Sequence, residues 1–293
     1  MPASSRPDRQ PAGVHHHSVG DIVVSALNDG VFEGSFEWLV GVPPAEATAL
    51  HHARFRTVPP RVTVNAFLLR LADRLVLVDG GCGSAMGADM GRLAANLAAA
   101  GAALGDVDVV LATHLHPDHV GGLVDADGRA VFPNAELVVH EAEPRFWNDD
   151  AALARASDAN LEFAGIARAT LAAYGNRLRP ISGGEVLPGV TVVPEPGHTP
   201  GHSGWLVASG GEALLIWGDI VHLPGVQFAR PEVGIGFDVD GTQAIATRQR
   251  IMDMAATDRL LVAGMHLDFP AFGHVARAGD GYAFVPEVWR PVL

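Results

Sequence analysis

Six consecutive residues near the middle of the chain combine three imidazoles with one carboxylate: His114-Leu115-His116-Pro117-Asp118-His119. Imidazole nitrogens and carboxylate oxygens are ligands that divalent zinc, iron, cobalt and manganese accept in proteins. Because this segment follows an apolar run at 107–112, we expect His114 and His116 to converge on one ion, while Asp118 and His119 reach a second. The pattern predicts a metal site.

Three further polar residues also follow apolar runs. His198 lies in a turn at 196–203 whose Pro and Gly residues restrict the backbone and so fix the position of a ligand. Asp219 follows the run 213–217 and is suited to bridge two cations ~3.5–4 Å apart. His266 follows the run 259–263. Each residue alone is a common turn residue, but together with the six-residue cluster they indicate a two-metal centre.

Supporting roles are predicted for two more residues. Asp79, in Val78-Asp79-Gly80-Gly81, is expected to hold a ligand imidazole in one tautomer, with a turn-capping role as an equal alternative. His202 is a similar candidate, and a hydrogen-bonded loop histidine is its alternative. The remaining histidines outside the N-terminal run have no spacing that indicates a site: His51, His52, His140, His222 and His274.

Aromatic residues in loop-like regions could line an apolar pocket around the metals, although each one taken alone more often belongs to the core. The predicted pocket residues are Phe36, Trp38, Trp147, Phe228 and Phe272, with Phe163 and Phe237 as further candidates.

The elements that must position these residues are short strands and two helical stretches. Strands are predicted at 21–27, 62–69, 75–78, 107–112, 190–193, 213–217 and 259–263, and helices at 86–103 and 150–174. Ligand sites in layered α/β folds gather on loops beyond strand ends, where a rigid sheet fixes separated residues. Residues 1–18 lack periodicity and are predicted to be a flexible N-terminal arm, followed by one catalytic domain at 19–293.

Composition excludes several classes of function. The formal net charge of −13 disfavours a nucleic-acid partner. All 20 basic residues are Arg, so a lysine Schiff base is excluded. Cys82 is the only cysteine, which rules out an internal disulfide. No apolar run approaches the roughly 18–20 residues that span a membrane. The N-terminus has no apolar signal segment, so a cytoplasmic location is expected.

The metal cluster resembles the H-x-H-x-D-H motif, later His, bridging Asp and final His of the metallo-β-lactamase superfamily. The residues that match the family's ligands are His114, His116 and His198 for a first ion, Asp118, His119 and His266 for a second ion, and Asp219 for the bridge. The resemblance implies an α+β fold, an αββα sandwich with the dinuclear site at one edge of its two sheets. The antibiotic-cleaving members typically place a cysteine in the second-ion site, so hydrolysis of β-lactams is not expected here.

Segments near both ends of the chain resemble one group within this superfamily. Residues 26–33, residues 264–275 and the pair Gly281-Tyr282 look like the corresponding parts of methyl parathion hydrolases and their lactonase relatives. That likeness implies a homodimer.

The expected activity is hydrolysis with two divalent ions, zinc first and iron, manganese or cobalt as alternatives. Two ions lower the pKa of a bridging water, so that a bridging hydroxide is the expected nucleophile, and Asp118 is expected to orient that water or carry a proton to the leaving group. The acidic chain and apolar candidates for the pocket favour a neutral ester, lactone or organophosphate triester. The alternative is a glyoxalase-II-like thioester hydrolase, although no basic patch for a glutathione-like anion is visible.

Overall fold

Most secondary-structure elements of the chain are strands, and the longer helices connect strands along the sequence. The computed structural model describes residues 10–83, 86, 87 and 89–293. In chain order the strands are β1 (Val14–Val19), β2 (Ile22–Glu33), β3 (Leu39–Val40), β4 (Arg61–Arg70), β5 (Leu75–Val78), β6 (Val109–Leu111), β7 (Glu136–His140), β8 (Leu178–Ile181), β9 (Glu185–Leu187), β10 (Val190–Pro194), β11 (Ser203–Ser209), β12 (Glu212–Ile216), β13 (Gly234–Ile235), β14 (Leu261–Ala263), β15 (Phe272–Ala278) and β16 (Gly281–Pro286). The α-helices are α1 (Pro44–His52), α2 (Leu93–Ala99), α3 (Pro117–Val120), α4 (Ala142–Trp147), α5 (Asp150–Leu153), α6 (Asp158–Tyr174), α7 (Pro224–Gln227) and α8 (Gly241–Thr257).

These strands form two seven-stranded sheets and one small sheet. The first sheet has the order β1-β2-β4-β5-β6-β7-β8, and the second has the order β16-β15-β14-β12-β11-β10-β9. Strands β5 to β8 run parallel to one another, as do β12 and β14. Parallel neighbours end at the same edge of a sheet, so residues that follow them lie close together. Strands β3 and β13 pair separately.

The alternation of side chains along β4 shows how the two sheets and the helices are layered. In β4, Phe67 belongs to the same buried cluster as Trp205 of β11, whereas the next residue, Leu68, belongs to the cluster that contains Trp147 of α4. Successive side chains of a strand point to opposite faces, so the first sheet packs against the second sheet on one face and against helices on the other. Helix α8 contacts β15 and contributes Met252 to the core. The αββα sandwich expected from the sequence is confirmed.

The structure corrects one boundary of the sequence prediction. Strand β1 begins at Val14 and pairs with β2, so residues 14–18 belong to the first sheet instead of a flexible arm. The polar sequence of β1 hides this, because His15 and His17 pack against the Phe272 ring in place of aliphatic residues. Residues 1–9 of the predicted arm lie outside the described residues.

The other predicted elements differ mainly at their ends. The helix expected at 86–103 is α-helical at Leu93–Ala99, and position 88 of that prediction lies outside the described residues. The helical stretch expected at 150–174 is divided into α5 and α6. Strands β15 and β16, which extend the second sheet, were not predicted. Among the described residues, no helix has both the length and the hydropathy that a membrane span needs.

Candidate metal centre

The seven predicted ligands meet at one edge of the two sheets. His114 and His116 follow β6, and Asp118 and His119 lie in the short helix α3. The later ligands lie on the loops that follow strands β10, β12 and β14. Within 4.8 Å of one another lie ligand atoms of His114, His116, His198 and Asp219, of Asp118, His119 and His266, and of Asp219, His222 and His266.

The Asp219 carboxylate occupies the middle of the cluster. Its Oδ1 lies 3.2 Å from Nε2 of His119. Its Oδ2 lies 3.3 Å from Nε2 of His198 and 3.2 Å from Nε2 of His266. The carboxylate therefore lies beside ligands of both groups, which is the position a bridging carboxylate requires.

Each ligand imidazole turns one nitrogen toward this cluster and has its other nitrogen held by the protein. The contacts of the second nitrogen are His114 Nδ1 to Thr113 Oγ1 (3.1 Å), His116 Nε2 to Asn160 Oδ1 (3.2 Å), His119 Nδ1 to Asp79 Oδ2 (2.7 Å), His198 Nδ1 to Asp238 Oδ1 (2.7 Å) and His266 Nδ1 to the Thr63 carbonyl (2.8 Å). Such contacts fix the ring orientation and place the other nitrogen of each ring inside the cluster, where it can bind a cation.

Asp79 and His202 occupy supporting positions. The Asp79 carboxylate accepts the Thr113 N–H (2.7 Å) and the Thr113 hydroxyl (2.8 Å) in addition to its contact with His119. His202 donates from Nδ1 to the Glu195 carbonyl (2.8 Å), and its Nε2 accepts the Asp219 N–H (2.9 Å). Burial lowers the pKa of His202 to about 3. A neutral His202 ring therefore holds the backbone of the central carboxylate.

The buried charges of the cluster favour the binding of a cation. Burial would raise the pKa of the Asp219 carboxyl, but the imidazoles of His119 and His266 hold it well below its usual range. Burial would lower the pKa of His119, yet the carboxylates of Asp219, Asp118 and Asp79 raise it well above its usual value. Ionised carboxylates in a buried site need a cationic partner.

Unpaired buried atoms test whether the donor set suits a metal. Among the described residues, His114 Nε2, His119 Nε2 and Asp219 Oδ1 are buried and have no hydrogen-bond partner. Buried polar atoms are costly unless they are paired, and divalent cations bound to the two ligand groups would satisfy all three. Nitrogen and oxygen donors without a thiolate suit zinc, iron, cobalt or manganese. The residues present therefore fit divalent metal ions.

Sequence reasoning missed several residues of this centre, among them His222, Asp238 and Asn160. Nε2 of His222 lies 3.1 Å from Asp219 Oδ2, and its ring stacks on His266 at a centroid distance of 5.3 Å. A spacing of three residues after Asp219 was the available signal. Asp238 and Asn160 hold ligand rings from 40 and 44 residues away in the chain, so no local pattern identifies them.

A cavity of about 480 Å³ opens onto the cluster. Its apolar walls come from Phe32, Trp38, Val62, Met86, Phe163, Ile235 and Phe237. The acidic residues Glu37, Asp118, Asp158 and Asp219 also line it, together with His116, His222 and His266. No Arg side chain is found among the described lining residues, and the chain contains no Lys.

Three of the seven aromatic candidates line this cavity, and four do not. Trp38, Phe163 and Phe237 lie on its wall, whereas the other four are buried elsewhere. Phe36 packs edge-on against His51, and Trp147 lies behind His116. Phe228 and Phe272 belong to the core of the second sheet. Aromatic rings satisfy a core and a pocket wall equally well, so sequence pattern could not separate the two.

Comparison with known proteins places the chain among metal-dependent hydrolases. A sequence profile of the metallo-β-lactamase superfamily matches residues 59–266. The crystal structure of AbOPH, a hydrolase in the β-lactamase superfamily, is 32% identical with a TM-score of 0.91, covering 96% of this chain and 100% of AbOPH. AidC, a dizinc quorum-quenching lactonase solved with the product N-hexanoyl-L-homoserine, is 25% identical with a TM-score of 0.89, covering 95% of this chain and 99% of AidC.

One curated relative is similar over a shorter region. YobT, an uncharacterized protein of Bacillus subtilis (strain 168), is 32% identical over 117 residues, which are 40% of this chain and 47% of YobT. The chain thus spans about half the length of that curated relative.

Proposed function

Because this chain belongs to the metallo-β-lactamase superfamily of hydrolases, we propose that it uses two divalent metal ions to hydrolyse an uncharged lactone, ester or phosphotriester. We infer the substrate class from the cavity beside the ligand cluster. Aromatic and aliphatic side chains form its walls, and acidic side chains are the charged groups among its described lining residues. An apolar, uncharged substrate brings no charge of its own that would lose water on entering this cavity.

The same cavity disfavours the thioester alternative. A glutathione-like substrate carries carboxylates, which need cationic partners when they are taken out of water. The described lining residues offer Glu37 and Asp158 where such a substrate would need Arg or Lys. Like charges at this position repel the anion, so a thioester of glutathione is the poorer candidate.

The ligand groups are suited to two ions. His114, His116 and His198 would hold one ion, Asp118, His119 and His266 a second, and Asp219 lies between the groups. Divalent ions bound here supply Lewis acidity, which brings the pKa of water toward neutrality and polarises a carbonyl or phosphoryl oxygen. Zinc is our first choice, because the donor set suits it and AidC is a dizinc enzyme.

The protein's own groups orient the substrate and move a proton. Asp118 lies at the floor of the cavity with its side chain 15% exposed, and its Oδ2 is 3.3 Å from Nε2 of His266. From there the Asp118 carboxylate can accept a proton from water and pass it to the leaving oxygen. His222 faces the same space and can donate a hydrogen bond to a substrate oxygen. Phe163 and Phe237 keep bulk water from the apolar part of the substrate.

Among uncharged substrates, a lactone with an apolar chain is the first candidate. AidC, which covers nearly the whole of this chain, is a lactonase with an acyl-homoserine product bound. The segments 26–33 and 264–275, which resemble methyl parathion hydrolases, are the reason to include aryl phosphotriesters.

The test combines metal analysis with a substrate panel. Purified protein is loaded with zinc, its metal content is measured, and initial rates are compared for N-hexanoyl-homoserine lactone, an aryl acetate, an aryl dialkyl phosphate and S-lactoylglutathione. We expect two ions per chain and turnover of at least one uncharged substrate well above that of S-lactoylglutathione. Faster hydrolysis of the thioester, or turnover of no panel member by the metal-loaded protein, would overturn the proposal.

A further inference from the structure

Outside the ligand cluster, one buried carboxylate connects the two loops that carry the first ligand group. Glu143, in α4, is fully buried. Its Oε2 accepts the backbone N–H of Leu115 (3.0 Å) and the indole N–H of Trp147 (2.9 Å). Its Oε1 accepts the backbone N–H of Gly201 (2.8 Å). One side chain thus ties together segments that are 86 residues apart in the chain.

Two of these hydrogen-bond donors lie beside predicted metal ligands. Leu115 lies between the ligands His114 and His116, and Gly201 lies three residues after the ligand His198. The approach at Gly201 is close: a Cβ atom there would lie 2.8 Å from Cγ and 2.9 Å from Oε1 of Glu143. The glycine therefore permits the loop to reach the carboxylate.

The second ligand group depends on different contacts. His119 is held by Asp79, and His266 is held by the carbonyl of Thr63. Among the described residues, Glu143 makes no hydrogen bond to any of these groups. A change at Glu143 should therefore act on one ligand group and spare the other.

We propose that Glu143 is a positioning residue for the first ion, holding the loop of His114 and His116 at a fixed distance from the loop of His198. This inference rests on the proposed function, because it assumes that the ligand cluster binds two ions. Groups that orient metal ligands typically change metal affinity by about 10–100-fold when they are altered. Glu143 orients backbone segments instead of a ring, so its effect reaches three ligands through two loops.

The substitution Glu143→Gln separates this role from packing, because it keeps the volume of the side chain. The glutamine amide has one accepting oxygen and one NH2 group that can only donate. Whichever way the amide turns, its NH2 group faces the N–H of either Leu115 or Gly201. One of the two loops therefore loses its anchor, while the surrounding core stays filled.

The experiment measures metal stoichiometry and affinity by competition with a chelator of known zinc affinity. For the zinc-loaded full-length protein, we expect Glu143→Gln to raise the dissociation constant of one ion by about 10–100-fold and to leave the other within about threefold. Two single-site backgrounds identify the ion. His266→Ala weakens the second group, and adding Glu143→Gln should then weaken the remaining ion. His198→Ala weakens the first group, and adding Glu143→Gln should then leave the remaining ion unchanged.

Glu141→Gln is the matched control, since it makes the same change two residues earlier, on a carboxylate whose side-chain hydrogen bond goes to Arg145. We expect it to keep both ions at wild-type affinity. If Glu143→Gln is insoluble, Glu143→Asp retains the charge but is one methylene too short to reach both loops, and the same selective loss is expected.

Three results would overturn the inference about Glu143: both ions retained at wild-type affinity in the variant, equal weakening of both ions, or a Glu141→Gln effect as large as that of Glu143→Gln. A wild-type protein that binds no divalent ion would instead contradict the proposed function, so the two failures are distinguishable.

Discussion

Lengthening the acyl chain of a lactone substrate tests the cavity directly. Phe237 stands on the wall of the cavity beside the ligand cluster, with its ring centroid 5.4 Å from that of His222 and 6.1 Å from that of Trp38. An apolar chain bound in the cavity beside the cluster can pack on this ring. Truncation in Phe237→Ala opens one side of that chain to water.

The expected magnitude follows from apolar burial. Each methylene buried between Phe237 and the opposite wall contributes ~0.8 kcal/mol, which is about fourfold in kcat/KM. From butanoyl to hexanoyl homoserine lactone, kcat/KM should therefore rise by about 15-fold. In Phe237→Ala a chain packed on one side only should gain about half that free energy, or about twofold per methylene.

The assay compares initial rates for butanoyl, hexanoyl and octanoyl homoserine lactones with wild type, Phe237→Ala and a control. Phe36→Leu is a suitable control, because Phe36 is buried behind this wall and is not among the lining residues. It should lower the Tm and leave the dependence on chain length unchanged. A flat dependence in wild type, or an equal loss for all three chains in Phe237→Ala, would refute the role of this wall.

Three further outcomes are expected. Asp238→Asn removes the charged partner of His198 Nδ1, and chelator competition should show one ion bound about 10–100-fold more weakly; unchanged affinity for both ions would argue against that support. Asp118→Asn should lower kcat by about 10²–10⁴-fold, whereas a variant with both ions and full turnover would exclude Asp118 as a proton carrier. Burial raises the pKa of Glu195 well above its usual value, so its contribution to stability is present below about pH 4.5 and is lost as the pH rises through the raised pKa. With chelator present, Glu195→Gln should therefore have a higher Tm than wild type at alkaline pH and a similar Tm near pH 4.5, and parallel Tm curves for the two proteins would contradict this.

The sequence predicted those elements of the fold that have strong local hydrophobic patterns. Apolar strands such as β5 and β10 were found within a residue of their limits, because their hydrophobic runs end at turn residues. Strand β1 was assigned to a flexible arm, because its polar residues show no apolar alternation. Its place in the sheet is set by backbone pairing with β2, which sequence pattern does not reveal.

The site residues that the sequence did not predict are those placed by contacts between distant segments. Asp238 approaches His198, and Asn160 approaches His116, only because α6 and the loop after β13 pack around the cluster. His222 illustrates the same limit at shorter range, since its position in the cluster depends on how the chain turns after β12. Four aromatic residues were misassigned to the cavity wall, because core and cavity positions share one composition.

The sequence by itself determined the chemistry: the number and type of nitrogen and oxygen ligands, their place after strands, and the absence of lysine and of a thiolate in that set. These are properties of residue identity and short spacing, which the chain carries in any conformation. Only the tertiary structure decided which nitrogen of each ring faces the cluster, which carboxylates hold the rings, and which aromatic residues face a substrate. Those features arise when two sheets and their helices pack, because packing brings side chains distant in sequence within hydrogen-bond distance and leaves a cavity where the layers do not meet.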